Sequence, residues 1–231
     1  MDFLAKIDLG SILVQYTVLL FSLCFHEAAH AWMADRMGDY TARYLGRVSM
    51  NPLVHIDPIG TVLFPLLQFF SPVPVIGWAK PVPVNPAHLR NPRRDHMWIA
   101  AAGPMSNLLL AVICIVLLLA AKLTIPEAQL ALEQIYMRVG LPIEVSFITP
   151  LLAMLFFGVV INLALAFFNL IPIPPLDGNW VLSGVLPYRA ARALDSLQPY
   201  GFIILYGLLL LGAFRILFIP ISILLHMIVF A

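Results

Sequence analysis

Residues 19–39, LLFSLCFHEAAHAWMADRMGD, decide how this chain is read. They set His26, Glu27 and His30 near the end of an apolar run, just before Asp35 and Arg36. Ionisable groups are costly in lipid, and inside a span they mark functional sites. On an α-helix, residues i and i+4 share a face, about 6 Å apart along the axis. His26 and His30 can therefore turn two imidazole nitrogens toward one Zn²⁺. Glu27, beside the first, can reach a metal-activated water as general base. Chance gives H-E-x-x-H in about 0.3% of chains with this His and Glu content, which favours the metal reading over two interfacial histidines.

The rest of the chain supplies the membrane. Of its 231 residues, 61% are hydrophobic and 11% charged, whereas soluble domains carry about 25% charged residues. Segments 96–121, 145–176 and 196–214 contain no Asp, Glu, Lys or Arg, and 9–34 contains only Glu27. A crossing needs about 20 apolar residues, so the expected fold is an all-α polytopic membrane protein with about four to six transmembrane helices. We expect one integral-membrane metalloprotease domain over 1–231. Its parts are an HExxH helix at 9–36, a segment at 58–86, spans at 96–122 and 147–178, and C-terminal helices at 196–231. Lys6 followed by 9–25 resembles a signal peptide loosely, but no A-x-A-like site precedes HEAAH, so the segment is read as retained. Cys24 and Cys114 lie in apolar segments and give no disulfide framework. Nothing in the charge pattern points to nucleic acid, and oligomeric state is not encoded in any motif.

A catalytic zinc site needs three protein ligands and a water. His26 and His30 supply two. His55, Asp57, Asp177 and His226 are candidates for the third, while Glu127, Glu133 and Glu144 read as part of a solvated loop.

HEAAH at the end of an apolar helix, AGPMSN at 102–107 and NLIPIPPLDG at 169–178 together resemble the site-2 protease family of intramembrane zinc metalloproteases. GWAKPVPVNP at 77–86 is similar to the compact bacterial and archaeal branch without PDZ or CBS domains. The resemblance covers about residues 15–190. It implies one Zn²⁺ per chain held by His26, His30 and Asp177, with Glu27 as catalytic base. The implied reaction is hydrolysis of peptide bonds in or near transmembrane segments of membrane-protein substrates, in a prokaryotic cell membrane.

Counting crossings constrains the topology without the family. His26 lies about 26 Å along a helix starting near residue 9, close to the face we call B. Asp177 follows span 148–171, which must then also end on B. That requires 58–79 to be re-entrant rather than a crossing. Pro58, Pro65, Pro72, Pro74, Gly60 and Gly77 make it a poor continuous helix. Val, Ile and Trp among turn residues predict partly β-like character, with an edge over 73–84 that could add a substrate strand. In this topology side B holds nine Lys and Arg (36, 43, 47, 80, 90, 93, 94, 189, 192) and side A three (6, 122, 138). Lys and Arg concentrate in the cytoplasm, so the active site is expected to open there.

Asn169 is a candidate oxyanion or substrate-binding donor, weighed against a plain helix–helix hydrogen bond. His55 is a candidate second-shell partner, although a satisfied interfacial histidine is the simpler reading. Asn107 and Asn162 read as packing contacts, and His88 and His96 as solvated. The alternative function is an intramembrane metal-binding or ion-transport protein. Segments 96–121 and 148–171 lack the polar path that would need. A prenyl-protease type would take its third ligand from a later Glu, and none follows Glu144.

Overall fold

A computed structural model of the protein describes residues 8–70, 77–138 and 148–230. Its helices are α1 Leu9–Met37, α2 Thr41–Tyr44, α3 Phe64–Phe70, α4 Pro92–Thr124, α5 Ala128–Arg138, α6 Thr149–Asn169, α7 Asp177–Val185, α8 Tyr188–Asp195, α9 Gly201–Leu210 and α10 Arg215–Phe230. A π-helical turn, Pro58–Leu63, leads into α3. No strand occurs among the described residues.

Local chemistry sets the bounds of α1. The Asp8 carboxylate accepts from the amides of Gly10 and Ser11 at 3.0 and 3.2 Å, covering donors that the first turn leaves open. At the other end Gly38 takes φ 103°, and the amides of Gly38 and Asp39 return to the carbonyls of Asp35 and Ala34. Only glycine adopts that left-handed conformation cheaply. The 29 residues of α1 therefore run about 44 Å, enough to cross a bilayer. Four segments meet that standard by length and composition: Leu9–Met37, Pro92–Thr124, Thr149–Asn169 and Tyr188–Leu210.

Helix α4 is the central post, packed on α1, α6 and α7. The main apolar core lies at its far end, where α1 begins. Leu118, Leu132, Ile135, Leu152, Val159 and Ile221 are essentially inaccessible there. Close packing of these side chains makes this half an apolar plug. A smaller cluster of Ala34, Leu89 and Ile99 lies at the near end.

The chain between α2 and α4 makes an excursion and comes back. The Trp78 amide donates to the Gly60 carbonyl at 3.2 Å, and the Lys80 amide to the His55 carbonyl at 2.9 Å. Thr61 Oγ1 donates to the Trp78 carbonyl at 2.8 Å. The chain therefore leaves at Pro58 and is beside Gly60 again at Trp78, at the level of α1 where the Tyr16 hydroxyl donates to the Thr61 carbonyl at 3.1 Å. The two ends of the segment thus meet. The expected β-like character is absent from the described part of this segment. Pro81 and Pro83 have no amide to give a ladder, and the Val82 amide is spent on a side chain described below. Residues 71–76, and with them part of the expected edge, lie outside the described residues.

The C-terminal region forms two helices broken at Gly212 (φ 71°), with Pro220 inside the second. Phe214 meets Phe168 at the near end of α6. At the far end the Lys122 ammonium donates to the carbonyls of Ile228 and Val229 at 2.7 and 3.2 Å, and Gln129 donates to Val229 at 2.8 Å. Helix α10 thus runs antiparallel to α6. In sealed vesicles, cysteines substituted at Leu45 and Arg90 should react with an impermeant maleimide from the same side, and one at Glu127 from the other. Labelling of Leu45→Cys and Arg90→Cys from opposite sides would mean that 58–78 crosses.

Candidate metal centre

The i, i+4 spacing on α1 stacks His26 and His30 one turn apart, with their Nε2 atoms 3.0 Å from each other. Asp177 comes from 151 residues away in sequence yet sets Oδ2 at 3.1 Å from His26 Nε2 and 3.3 Å from His30 Nε2. Its delivery follows from the prolines. Helix α6 stops at Asn169, and Pro172, Pro174 and Pro175 cannot donate the amides that would continue it. The chain turns, and α7 restarts with Asp177 as its first residue. Helix α7 is then held on α4. The Arg93 guanidinium donates to the carbonyl of Ser183 at 2.6 and 2.8 Å and to that of Leu186, and the rings of His96 and Trp180 stack at 4.2 Å.

These three atoms suit a metal ion. All lie within 4.8 Å of one another. The Asp177 Oδ2 atom is buried and, among the described residues, faces only these two nitrogens as polar neighbours. His30 Nδ1 is 2.7 Å from the Ile99 carbonyl, which only accepts, so Nδ1 carries the hydrogen and Nε2 offers its lone pair. His26 Nδ1 lies 2.6 Å from Oδ1 of Asn107. Gly103 on α4 leaves room for them, because a Cβ there would press on His30 Nε2 and stand 2.7 Å from His26 Cε1. Nitrogen, nitrogen and carboxylate oxygen form a donor set that zinc accepts.

Glu27 is buried beside the pair, and its Oε2 accepts from the Val82 amide at 3.2 Å. The extended segment carrying Val82 is itself anchored. Buried Arg47 donates to the carbonyls of Val54 (2.6 Å), Lys80 and Pro81 (3.2 Å), and Asp39 Oδ2 accepts from the Asn85 amide at 2.7 Å. A cavity of about 500 Å³ opens over His26, Glu27, His30, Asp177, Trp180 and Asn169.

The other sequence candidates fall as follows. Asn169 lines this cavity, but its amide donates to Leu165 of its own helix at 3.0 Å. His55 stands apart from the three, with Nε2 2.9 Å from the Ser49 carbonyl. Burial, joined by the Arg47 charge, pushes its imidazole below the ordinary value despite that carbonyl. Its link to the site is through its backbone carbonyl, which holds Lys80. Asp57 caps the π-helical turn, and His226 packs among Tyr136 and Phe230 at the far end. One solvated reading changes: His96 lines the cavity against Trp180. His88 is exposed as read, and it also bonds buried Asp39 at 3.1 Å. Sequence reasoning also missed Arg47 and Val82. A lone arginine or a valine between prolines carries no motif, and only the fold brings them to Glu27.

Residues 15–212 match the family model Peptidase family M50, and the chain belongs to that family. It is 36% identical over 186 residues to YwhC of Bacillus subtilis, which is named as a zinc metalloprotease, covering 80% of this chain and 75% of that one. It is 28% identical over 198 residues to Rip2 of Mycolicibacterium smegmatis, covering 84% and 65%. It is 30% identical over 196 residues to Rip2 of Mycobacterium tuberculosis strain H37Rv, covering 83% and 64%. Both Rip2 proteins carry the same description in their names. No solved structure matches the chain significantly. The protein is a zinc metalloendopeptidase of the site-2 protease type and a membrane protein.

If the glycine cradle matters, Gly103→Ala should lower zinc affinity about 10–100-fold, the range for disturbing a metal's supporting shell, while helix content stays unchanged. Metal analysis of the purified variant tests this. One zinc per chain at wild-type affinity would contradict it.

Proposed function

We propose that this protein cuts peptide bonds in or near transmembrane segments of membrane-protein substrates, using zinc held by His26, His30 and Asp177, with Glu27 as the base. The observation that carries this reading is the meeting of three ligand-type atoms beside a buried glutamate, in a cavity at one end of a helical bundle. Zinc, when bound, supplies Lewis acidity that polarises a carbonyl and brings the pKa of water to about 7.

The chain's own residues do the rest. The Val82 amide fixes one oxygen of Glu27, which leaves the carboxylate aimed rather than free to rotate. Its other oxygen takes a proton from the attacking water and later gives it to the departing amine. Asn169, turned away from Leu165, would donate its amide to the carbonyl oxygen as negative charge develops there. A helical substrate keeps its amides and carbonyls in its own hydrogen bonds, so the segment to be cut must unwind first. Water enters from the near end, since the core around Leu118, Leu132 and Leu152 closes the other. The same plug argues against an ion-transport role, which needs a polar path through that half. The nine-to-three distribution of Lys and Arg supports a cytoplasmic orientation for the near end.

Glu27→Gln should keep its zinc and lose cleavage of a model single-span substrate by about 10²–10⁴-fold. A chelator should abolish wild-type cleavage and added zinc restore it. Near-normal turnover by Glu27→Gln would exclude Glu27 as the base.

A further inference from the structure

The two histidines are oriented by different devices. His30 is set by the Ile99 backbone carbonyl, which no substitution removes. His26 is set by a side chain, and that side chain is itself set by another. Asn162 on α6 donates Nδ2 to the Gly158 carbonyl at 2.8 Å. A carbonyl only accepts, so the amide nitrogen must lie there and Oδ1 must face the other way. That oxygen, 2.8 Å off, receives Nδ2 of Asn107 on α4. The Asn107 nitrogen is held a second time, by the Ser22 carbonyl of α1 at 3.2 Å. Its Oδ1 is therefore left for His26, 2.6 Å from Nδ1. Asn107 and Asn162 are buried, at 0% and 3% exposure, so water does not compete for these groups.

We infer that Asn162 and Asn107 form a directional amide relay that locks His26 with its hydrogen on Nδ1, so that Nε2 presents a lone pair to the metal. With the amide reversed, the Asn107 nitrogen would face Nδ1 and favour the opposite tautomer, with hydrogen on Nε2 and no ligand atom there. The relay runs through all three core helices. Helix α6 carries Asn162 and also leads to Asp177, so its seating governs one ligand's tautomer and another's delivery. Asn107 and Asn162 are positioning residues and do not touch the reacting atoms. The inference rests on the ligand assignment proposed above.

The test is the zinc dissociation constant of the full-length protein, measured by competition with a chromophoric chelator, alongside thermal stability of the metal-free form. Asn107→Leu removes the acceptor and should weaken zinc binding about 10–100-fold. Asn107→Asp keeps an acceptor on Nδ1 and should bind zinc at least as tightly as wild type, although a buried carboxylate makes the metal-free protein less stable. Asn162→Leu should lose less than Asn107→Leu, because the Ser22 carbonyl still holds the Asn107 nitrogen. The relay is overturned if Asn107→Leu binds zinc like wild type. It is also overturned if the Leu and Asp variants lose zinc in step with their stability, as residues that only pack would. His26→Ala serves as the control. Wild-type zinc affinity in that variant would overturn the ligand assignment itself, which is a separate failure.

Discussion

Two histidines one helical turn apart cannot hold a catalytic metal by themselves. The third ligand has to arrive at the same depth, and in a membrane protein depth is quantised by crossings. This single requirement organises the molecule. With Asp177 as the proposed third ligand, it sets the parity of spans between α1 and the Asp177 turn, and the uncharged chain after α2 must then return instead of crossing. The hydrogen bonds from Trp78 to Gly60 and from Lys80 to His55 close that return. It also explains the proline-rich break after Asn169, where a continuing helix would carry Asp177 past the histidines.

A second constraint follows from burial. Polar groups in a low-dielectric interior need partners, and an unpaired one costs several kcal/mol in hydrocarbon. The near half of the bundle meets much of this with side-chain networks, although both amide atoms of buried Asn179 have no hydrogen-bond partner among the described residues. Arg47 gathers three carbonyls, Asp39 gathers the turn at 85–88, and the asparagines of α4 and α6 serve His26. The far half is mostly packed Leu, Ile, Val and Phe, and its Lys122 and Gln129 donate to carbonyls at the end of α10. Chemistry at one end and a plug at the other give a site that water reaches from one side.

Much of this was legible in the sequence, for identifiable reasons. HEAAH carries its own geometry because helical periodicity fixes which side chains share a face. Asp177 was one of four open candidates until motif resemblance singled it out, and the crossing count then took it as a premise. The prolines and glycines of 58–79 predicted a poor continuous helix, yet Pro58–Phe70 is helical throughout, a π-helical turn leading into α3. What the sequence did not disclose were partners defined by tertiary contact. Asn107 looked like helix glue because an asparagine's role depends on which way its amide points, and that is set by carbonyls on two other helices. His96 looked solvated because its neighbours are arginines, yet it turns inward onto Trp180. The strand expected around Val82 failed because Glu27 takes the one amide between two prolines.

The central claim is that Asp177 shares a single zinc with His26 and His30, and X-ray absorption at the zinc edge tests it most directly. In the wild-type protein the first shell should contain only nitrogen and oxygen, at about 2.0–2.2 Å. In Asp177→Cys one of those light atoms should be replaced by a sulfur at about 2.3 Å. A zinc shell in Asp177→Cys that holds no sulfur and matches the wild-type spectrum would contradict the account.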